Sequence, residues 1–326
     1  MNRKIVIWLL TSFCLTNIPL AGAQQAKIPK IGRLSPISLA SGGQRSGLLG
    51  RELRALGYVE GKNIAIEYRY ADNKLDRLPA LAEELVGLKV DVLVAPSTPA
   101  VLALKNATST IPIVFFRVSD PVAVGLINTL ARPGGNITGV TNIAPVLAGK
   151  RLELLKETIA KLSRGAVLWN PKDPGSAPQW KESQLAAREL GLQLHSMEVS
   201  SADKYESAFQ EAIQARSAAL AVTDHALALS NQKQIADLAT KNRLPAIYAQ
   251  GIHVDSGGLM SYGADEAEIS RRVASMIDKI LKGTMPADIP VEQPMKFEFV
   301  INLKTAKQIG LTIPPNVLAR ADKVIK

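Results

Sequence analysis

Short β-branched runs alternate with longer stretches whose apolar residues recur at three- and four-residue spacing, from Ile31 through to Asn302. Alternation of this kind predicts βαβ units and parallel sheets, since a parallel strand can return only by a crossover long enough to hold a helix. Strands are expected at 31–35 and 64–70, with a helix at 43–56 and a turn at 57–63 between them. Leu78, Leu81, Ala82, Leu85 and Val86 then share one helical face. Further strands follow in Asp91-Val-Leu-Val-Ala-Pro-Ser-Thr98, Ile111-Pro-Ile-Val-Phe-Phe-Arg-Val118 and Gly134-Gly-Asn-Ile-Thr-Gly-Val-Thr-Asn142.

The plan repeats from Gly165. Strands are expected at 166–169, 192–199, 218–224, 244–250 and 257–263, with helices at 151–162, 179–190, 204–215 and 265–281. Leu56-Gly57 and Leu190-Gly191 each end a helix where glycine suits a left-handed cap, and Ala71-Asp72 and Ala202-Asp203 each follow a second strand. Val94 to Pro112 spans 18 residues and the matching Ala221 to Pro245 spans 24, so the copies read as duplicated folds and not as a solenoid array. The fold class is therefore α/β, two Rossmann-like lobes with parallel sheets and a ligand cleft between them. Lobe 1 is expected to take residues 28–142 plus about 264–290, and lobe 2 residues 143–263 plus about 291–326. Several chain crossings would make a hinge that permits closure and resists independent tumbling.

At 326 residues the chain suits two such lobes, and a composition 47% hydrophobic but only 5% aromatic fits helices on sheets packed through Ala, Leu, Val and Ile. Arg3 and Lys4, an apolar run at 5–15 and Ala21-Gly-Ala23 have the order of a secretory signal peptide at 1–23. Cys14, the one cysteine, lies inside it after Phe13, a poor fit to a lipid-attachment site, so cleavage would release a cysteine-free protein. Net charge is +10, or +8 without Arg3 and Lys4, and the basic residues are dispersed with no interleaved aromatics. That reads as a solvated surface and excludes a nucleic-acid platform.

Ligands of open parallel sheets bind beyond the carboxyl ends of the strands, where helix N-termini present unpaired N–H groups. Small polar residues collect at those ends here: Ser35 and Ser38, Ser97 and Thr98, Ser119, then Thr141 and Asn142. The second copy offers Asn170, Asp224, Gln250 and Tyr262 at the corresponding places, with Thr223 and Ser261 beside them. Ser97-Thr-Pro99 would leave N–H groups aimed at an anion such as a carboxylate, and Asp224 could meet an ammonium group; each could also be a plain helix cap. Asp120-Pro121 reads as a structural cap. Phe116 and Tyr248 read as packing, whereas Trp169 and Tyr262 are the better candidates for a pocket wall.

Chemistry is scarce. His195, His225 and His253 form no metal-ligand pair, Gly57-Tyr-Val-Glu-Gly-Lys-Asn63 departs from a phosphate loop, and no Gly-x-Ser-x-Gly elbow occurs. No cofactor, metal or catalytic residue is expected, and the reading is a binding protein and not an enzyme.

Five segments in order carry a resemblance: Leu56-Gly-Tyr-Val-Glu-Gly-Lys-Asn-Ile-Ala-Ile-Glu-Tyr-Arg-Tyr-Ala71, Ile111-Pro-Ile-Val-Phe115, Ser119-Asp-Pro-Val-Ala-Val-Gly-Leu126, Arg132-Pro-Gly-Gly-Asn-Ile-Thr-Gly139 and Asn170-Pro-Lys-Asp-Pro-Gly-Ser176. Over nearly the whole chain beyond the signal it resembles the ABC-transporter substrate-binding family that includes the TrpX-type proteins. The resemblance implies a type I periplasmic-binding-protein fold that captures a small molecule, in characterised members an amino acid and notably an aromatic one. It implies delivery to a membrane permease with its ATPase and contact with the membrane only through that permease. Many members of the family carry a lipid-anchored N-terminal cysteine; this chain departs from them, its signal peptide pointing to free release into the periplasm, where a monomer is expected. Carried onto this chain, it puts carboxylate recognition on Ser97, Thr98 and Ser119 and amino-group recognition on Asp224 with Asn170. A solute-sensing subunit of a membrane signalling system is the alternative.

Overall fold

The computed structural model describes residues 28–326, of which 40–46 are described by backbone alone; the candidate signal peptide and Cys14 lie outside the described residues. The first sheet is built from β1 (Lys30–Ser35), β2 (Ala65–Tyr70), β3 (Val92–Pro96), β4 (Ile113–Val118) and β5 (Ile137–Thr141). All its pairs are parallel, in the order β2-β1-β3-β4-β5. Its crossovers carry α1 (Leu39–Ala55), α2 (Leu78–Gly87) and α3 (Thr98–Ala107). β3 and β4 are buried throughout or nearly so, as expected of strands covered on both faces.

The second lobe opens with α4 (Ala144–Thr158), which starts earlier than the expected 151–162. Asn142 accepts the Ala144 N–H at 3.1 Å, and Pro145, with no N–H to satisfy, suits the first turn, so the helix begins at the crossing itself. There follow β6 (Arg164–Trp169), α5 (Ala177–Glu189), β7 (Gln193–Glu198), α6 (Tyr205–Gln214), β8 (Leu220–Val222), α7 (Ala226–Ser230), α8 (Gln232–Lys241), β9 (Ala246–Tyr248), α9 (Gly251–Asp255) and β10 (Met260–Ala264). The parallel order β7-β6-β8-β9-β10 repeats that of the first sheet. The chain then returns to the first lobe as α10 (Glu266–Leu281), whose Ile269, Val273 and Ile277 pack with Ile31, Val94 and Phe116. It crosses back as β11 (Phe297–Asn302), antiparallel to β10, and ends with α11 (Leu303–Gln308), α12 (Pro315–Leu318) and β12 (Lys323–Ile325), an edge strand beyond the expected set.

Among the described residues three segments thus pass between the lobes: after Thr141, after Ala264 and before Phe297. They are tied together. Glu292 pairs with the edge of β5 through Thr141 N–H (2.9 Å) and Gly139 C=O (3.0 Å), and Arg272 binds both Glu268 (2.8 Å) and Glu292 (2.5 Å). Glu268 also accepts the N–H groups of Met295 (3.1 Å) and Lys296 (2.9 Å), so α10 and the third crossing move as one. Three parallel straps allow hinge bending while limiting twist.

At the edge of the first sheet, Gly139 lies opposite Phe115, and a Cβ on it would sit 2.1 Å from the Phe115 carbonyl oxygen. Gly139→Ala is therefore expected to cost about 1–3 kcal/mol of stability, the usual range for overpacking, with a melting temperature several degrees lower in a thermal denaturation scan.

Candidate functional site

The order of each sheet reverses direction beside its first strand, at β1 and β3 in one lobe and at β6 and β8 in the other. Such reversals open a crevice at the strand carboxyl ends. The two crevices face each other across the hinge. The space between them is about 750 Å³ counted out to its mouth, the size of a small-molecule site, and the lobes stand nearly shut around it.

Contacts across the cleft agree with a shut state. Ile37 of the first lobe packs with Ala226 and Leu229 of the second, and Ser230 Oγ lies 2.6 Å from Asn73 Oδ1. Gly175, after β6, comes so near the first lobe that a Cβ on it would lie 2.8 Å from Thr98 Oγ1 and 3.3 Å from Ser119 Oγ. Only a glycine lets the backbone approach this closely.

The principal link is ionic. Arg117 sits at a bulge in β4, where the register shifts between Phe116 and Val118, and its φ of 59° lies in the left-handed region. Bulges re-aim side chains, and left-handed backbone at a residue other than glycine costs about 1–3 kcal/mol, tolerated where surrounding contacts hold it. Here the strain turns the guanidinium across the hinge to Asp224, 3.0 Å from Nη2 to Oδ1, with Glu266 at 3.5 Å from Nε. Asp224 takes a further bond from Asn142 Nδ2 at 2.7 Å and another from the Gln250 amide. Gln179 clamps its backbone, accepting the Asp224 N–H at 2.8 Å and donating to the Asp224 carbonyl at 2.9 Å. Burial alone would disfavour the Arg117 charge, but Asp224 and then Glu266 raise its pKa above the ordinary value. Arg151, buried behind this cluster and donating to the Tyr262 carbonyl at 2.9 Å, is instead pushed down to about 10 by desolvation, which the field of Asp224 partly offsets.

With Asp224 so engaged, the cleft acid without a cationic partner among the described residues is Asp173. It is buried in the cleft wall, where it accepts the Gly175 N–H at 2.9 Å and bonds the Ala226 backbone. Desolvation pushes its pKa up to about 6, against the lowering effect of those two N–H groups. Opposite stand the Ser97, Thr98 and Ser119 hydroxyls at the start of α3 and the end of β4. Ser97 has φ 97° and makes no capping bond, so its buried Oγ is free of any partner among the described residues. His225 also lines the cleft. Its Nδ1 accepts the Ala228 N–H at 3.2 Å, so the neutral ring carries its proton on Nε2, and burial pushes its pKa down to about 4.

Of the residues expected from sequence, Ser35, Ser97, Thr98, Ser119 and Asp224 line the cleft. Asn142 and Gln250 reach it indirectly, as donors to Asp224. Ser38 is half-buried at the start of α1, outside the cleft lining, and Thr141 is buried at the hinge with an unbonded Oγ1. Asn170 caps its own loop, accepting the Lys172 N–H at 3.0 Å, and Asp120 does the same for Ala123 at 3.0 Å. Tyr262 stacks on Phe297, with ring centroids 6.1 Å apart, within the second lobe. Trp169 is likewise no cleft wall: it stacks on Trp180 and donates to Ser196 Oγ at 2.7 Å. The aromatic wall is Phe116, which packs in the first lobe's core and shows its edge to the cleft. Sequence reasoning missed Arg33, Arg117 and Asp173. A charge inside a strand, as at Arg33 and Arg117, was the available signal, since a charged group there must find a partner or a function.

A family model described as ABC transporter substrate binding protein matches residues 38–325. The chain belongs to that family. Its fold is that of the type I periplasmic binding proteins, and family members of this kind bind substrate and are not enzymes. A curated relative, the tyrosine-binding protein of Clostridioides difficile (strain R20291), is 28% identical over 261 residues, 80% of this chain and 75% of the relative. Among solved structures, a conserved domain protein of Vibrio cholerae is 30% identical with a TM-score of 0.86, covering 91% of this chain and 100% of the other. An ABC domain of Streptococcus pneumoniae in complex with L-Trp is 27% identical with a TM-score of 0.82, covering 90% and 100%. Among the described residues of this family member, no helix is long and apolar enough to cross a membrane.

Burial of neutral His225 sets a pH dependence of folding. The unfolded ring, with an ordinary pKa near 6.5, binds a proton between about pH 6.5 and 4 that the native ring refuses, so its contribution to stability is complete above that window and falls as pH drops through it. His225→Asn keeps a capping acceptor for Ala228 and removes the titration. Urea denaturation at pH 7.5 and 4.5 is expected to show the variant losing less stability than wild type, by at most about 1.4 kcal/mol per pH unit.

Proposed function

We propose that this protein is the extracytoplasmic receptor of an ABC importer, that its solute is an α-amino acid, and that the lobes close over the amino acid before docking on the permease and its ATPase. The observation carrying this reading is the meeting, around Gly175, of the Thr98 and Ser119 hydroxyls of one lobe, beside the unbonded Ser97 Oγ, with an acid of the other lobe, Asp173, that lacks a cation among the described residues. A carboxylate suits Thr98, Ser119 and Ser97, aided by the N–H groups at the start of α3. The ammonium suits Asp173, because Asp224 is already held by Arg117. Closure can be driven only by contacts that the open form lacks, and a zwitterion spanning both lobes supplies them. The relatives' ligands, tyrosine and L-Trp, favour an aromatic side chain, and Phe116 with Leu48 and Leu49 offers an apolar wall for it. The candidate signal peptide supports export to the periplasm, and the proposal takes the receptor to act there as a monomer.

Thermal shift and calorimetry on residues 24–326 with the common amino acids test this reading. An amino acid at 100 times its dissociation constant is expected to stabilise by about 2.7 kcal/mol, and failure of every amino acid to bind would remove the proposal.

The ammonium assignment makes a separate prediction. Asp173 must be ionised to bind the cation, so affinity is expected to be flat above about pH 6 and to fall below it, by up to about tenfold per pH unit. Asp173→Asn, which keeps an acceptor for the Gly175 N–H, is expected to weaken binding roughly thirtyfold or more and to abolish that pH dependence. An unchanged pH profile in the variant would move the ammonium site elsewhere.

A further inference from the structure

Arg33 lies in the middle of β1, two residues and therefore about 7 Å before the strand's carboxyl end at Ser35, the end beyond which the hydroxyls and Asp173 meet. It is buried, at 6% exposure, and lines the floor of the cleft. Its guanidinium carbon lies over the Phe116 ring, 5.9 Å from the centroid, and among the described residues Nε has no hydrogen-bond partner and no carboxylate faces the group. The charged and titratable groups acting on it are the Tyr68 and Tyr70 phenols and a second cation, Arg117, while the acids Asp224 and Glu266 are spent on Arg117.

A buried cation held by one aromatic ring is costly, and it is a strong donor awaiting an acceptor. Leu49 and Phe116, which line the cleft with it, are apolar. An amino acid with its ammonium and carboxylate near Gly175 would extend its side chain down this wall toward Arg33. We infer that Arg33 is a specificity-determining ligand contact, and that this protein selects amino acids whose side chain ends in a hydrogen-bond acceptor, an anionic one above all. The inference rests on the amino-acid reading and narrows it: an acceptor at the far end of the side chain is rewarded, and a plain apolar ring is not.

The test uses side chains matched in size. Calorimetry compares L-tyrosine with 4-methyl-L-phenylalanine, and 4-carboxy-L-phenylalanine with both, on wild type, Arg33→Met and Arg33→Lys. In wild type the acceptor-bearing member of each pair is expected to bind tighter by roughly tenfold to a hundredfold, the range of one hydrogen bond to a charged group, with the carboxylate in the lead. In Arg33→Met the preference collapses, and Arg33→Lys keeps part of it. The ligand-free Arg33→Met protein is expected to melt no lower than wild type, since it loses an unpaired buried charge. Equal or tighter binding of 4-methyl-L-phenylalanine by wild type overturns the inference and leaves the amino-acid reading standing, without reference to any variant. Retention of the full preference by Arg33→Met overturns it too. Failure of all three probes and of every common amino acid to bind overturns the amino-acid reading, and this inference with it.

Discussion

The ion pair between Arg117 and Asp224 is the interaction on which the closed cleft depends. It joins the lobes at the hinge side of the cleft, and both partners are too buried for either charge to survive alone. Everything nearby serves it. The bulge in β4 aims Arg117, Asn142 at the first crossing holds the second carboxylate oxygen, Gln179 fixes the Asp224 backbone from α5, and Glu266 balances the guanidinium from the start of α10. Two of the three crossings thus contribute a side chain to one electrostatic cluster, which couples the hinge angle to the charge balance of the site. A buried pair of this kind adds little net stability over an apolar contact, but it tolerates few geometries and so fixes one closed arrangement.

That internal pairing also decides what the ligand must bring. Once Arg117 has used Asp224 and Glu266, two charges of the cleft lack a counterpart among the described residues: Asp173 near the strand ends and Arg33 on the floor. A solute that answers both relieves two desolvation penalties at once, and it does so only with the lobes shut. Binding and closure then become the same event, as a receptor that signals occupancy by its shape requires.

The architecture was largely legible in the sequence. Period-two and period-3.6 runs located the strands and longer helices, and the repeated plan announced two sheets with their carboxyl ends facing a shared space. Where expectation and structure part, local chemistry explains the difference. α4 starts at the crossing because Asn142 and Pro145 satisfy its first turn. The edge strand β12 is three residues long, too short to carry a periodic signal. At the site, Ser97, Thr98, Ser119 and Asp224 could be named because strand ends and helix starts are visible as patterns. Phe116 and Trp169 exchanged roles because the sequence shows that an aromatic residue lies in or beside a strand, and not which face it takes or what stacks on it.

The amino-acid sequence by itself determined the α/β class, the duplication and the belt of small polar residues at the strand ends, because those follow from hydrophobic periodicity and local capping preferences. Tertiary structure alone decided the electrostatics. Residues 117 and 224 are 107 positions apart, and whether an acid in this belt is free for a ligand or consumed by an arginine depends on which side chains the folded lobes bring within about 3 Å. Coulomb energy and desolvation are set by distance and burial in space, and neither is written along the chain. The two-lobed clamp was foreseeable from the sequence; that its unsatisfied charges are Arg33 and Asp173 was not.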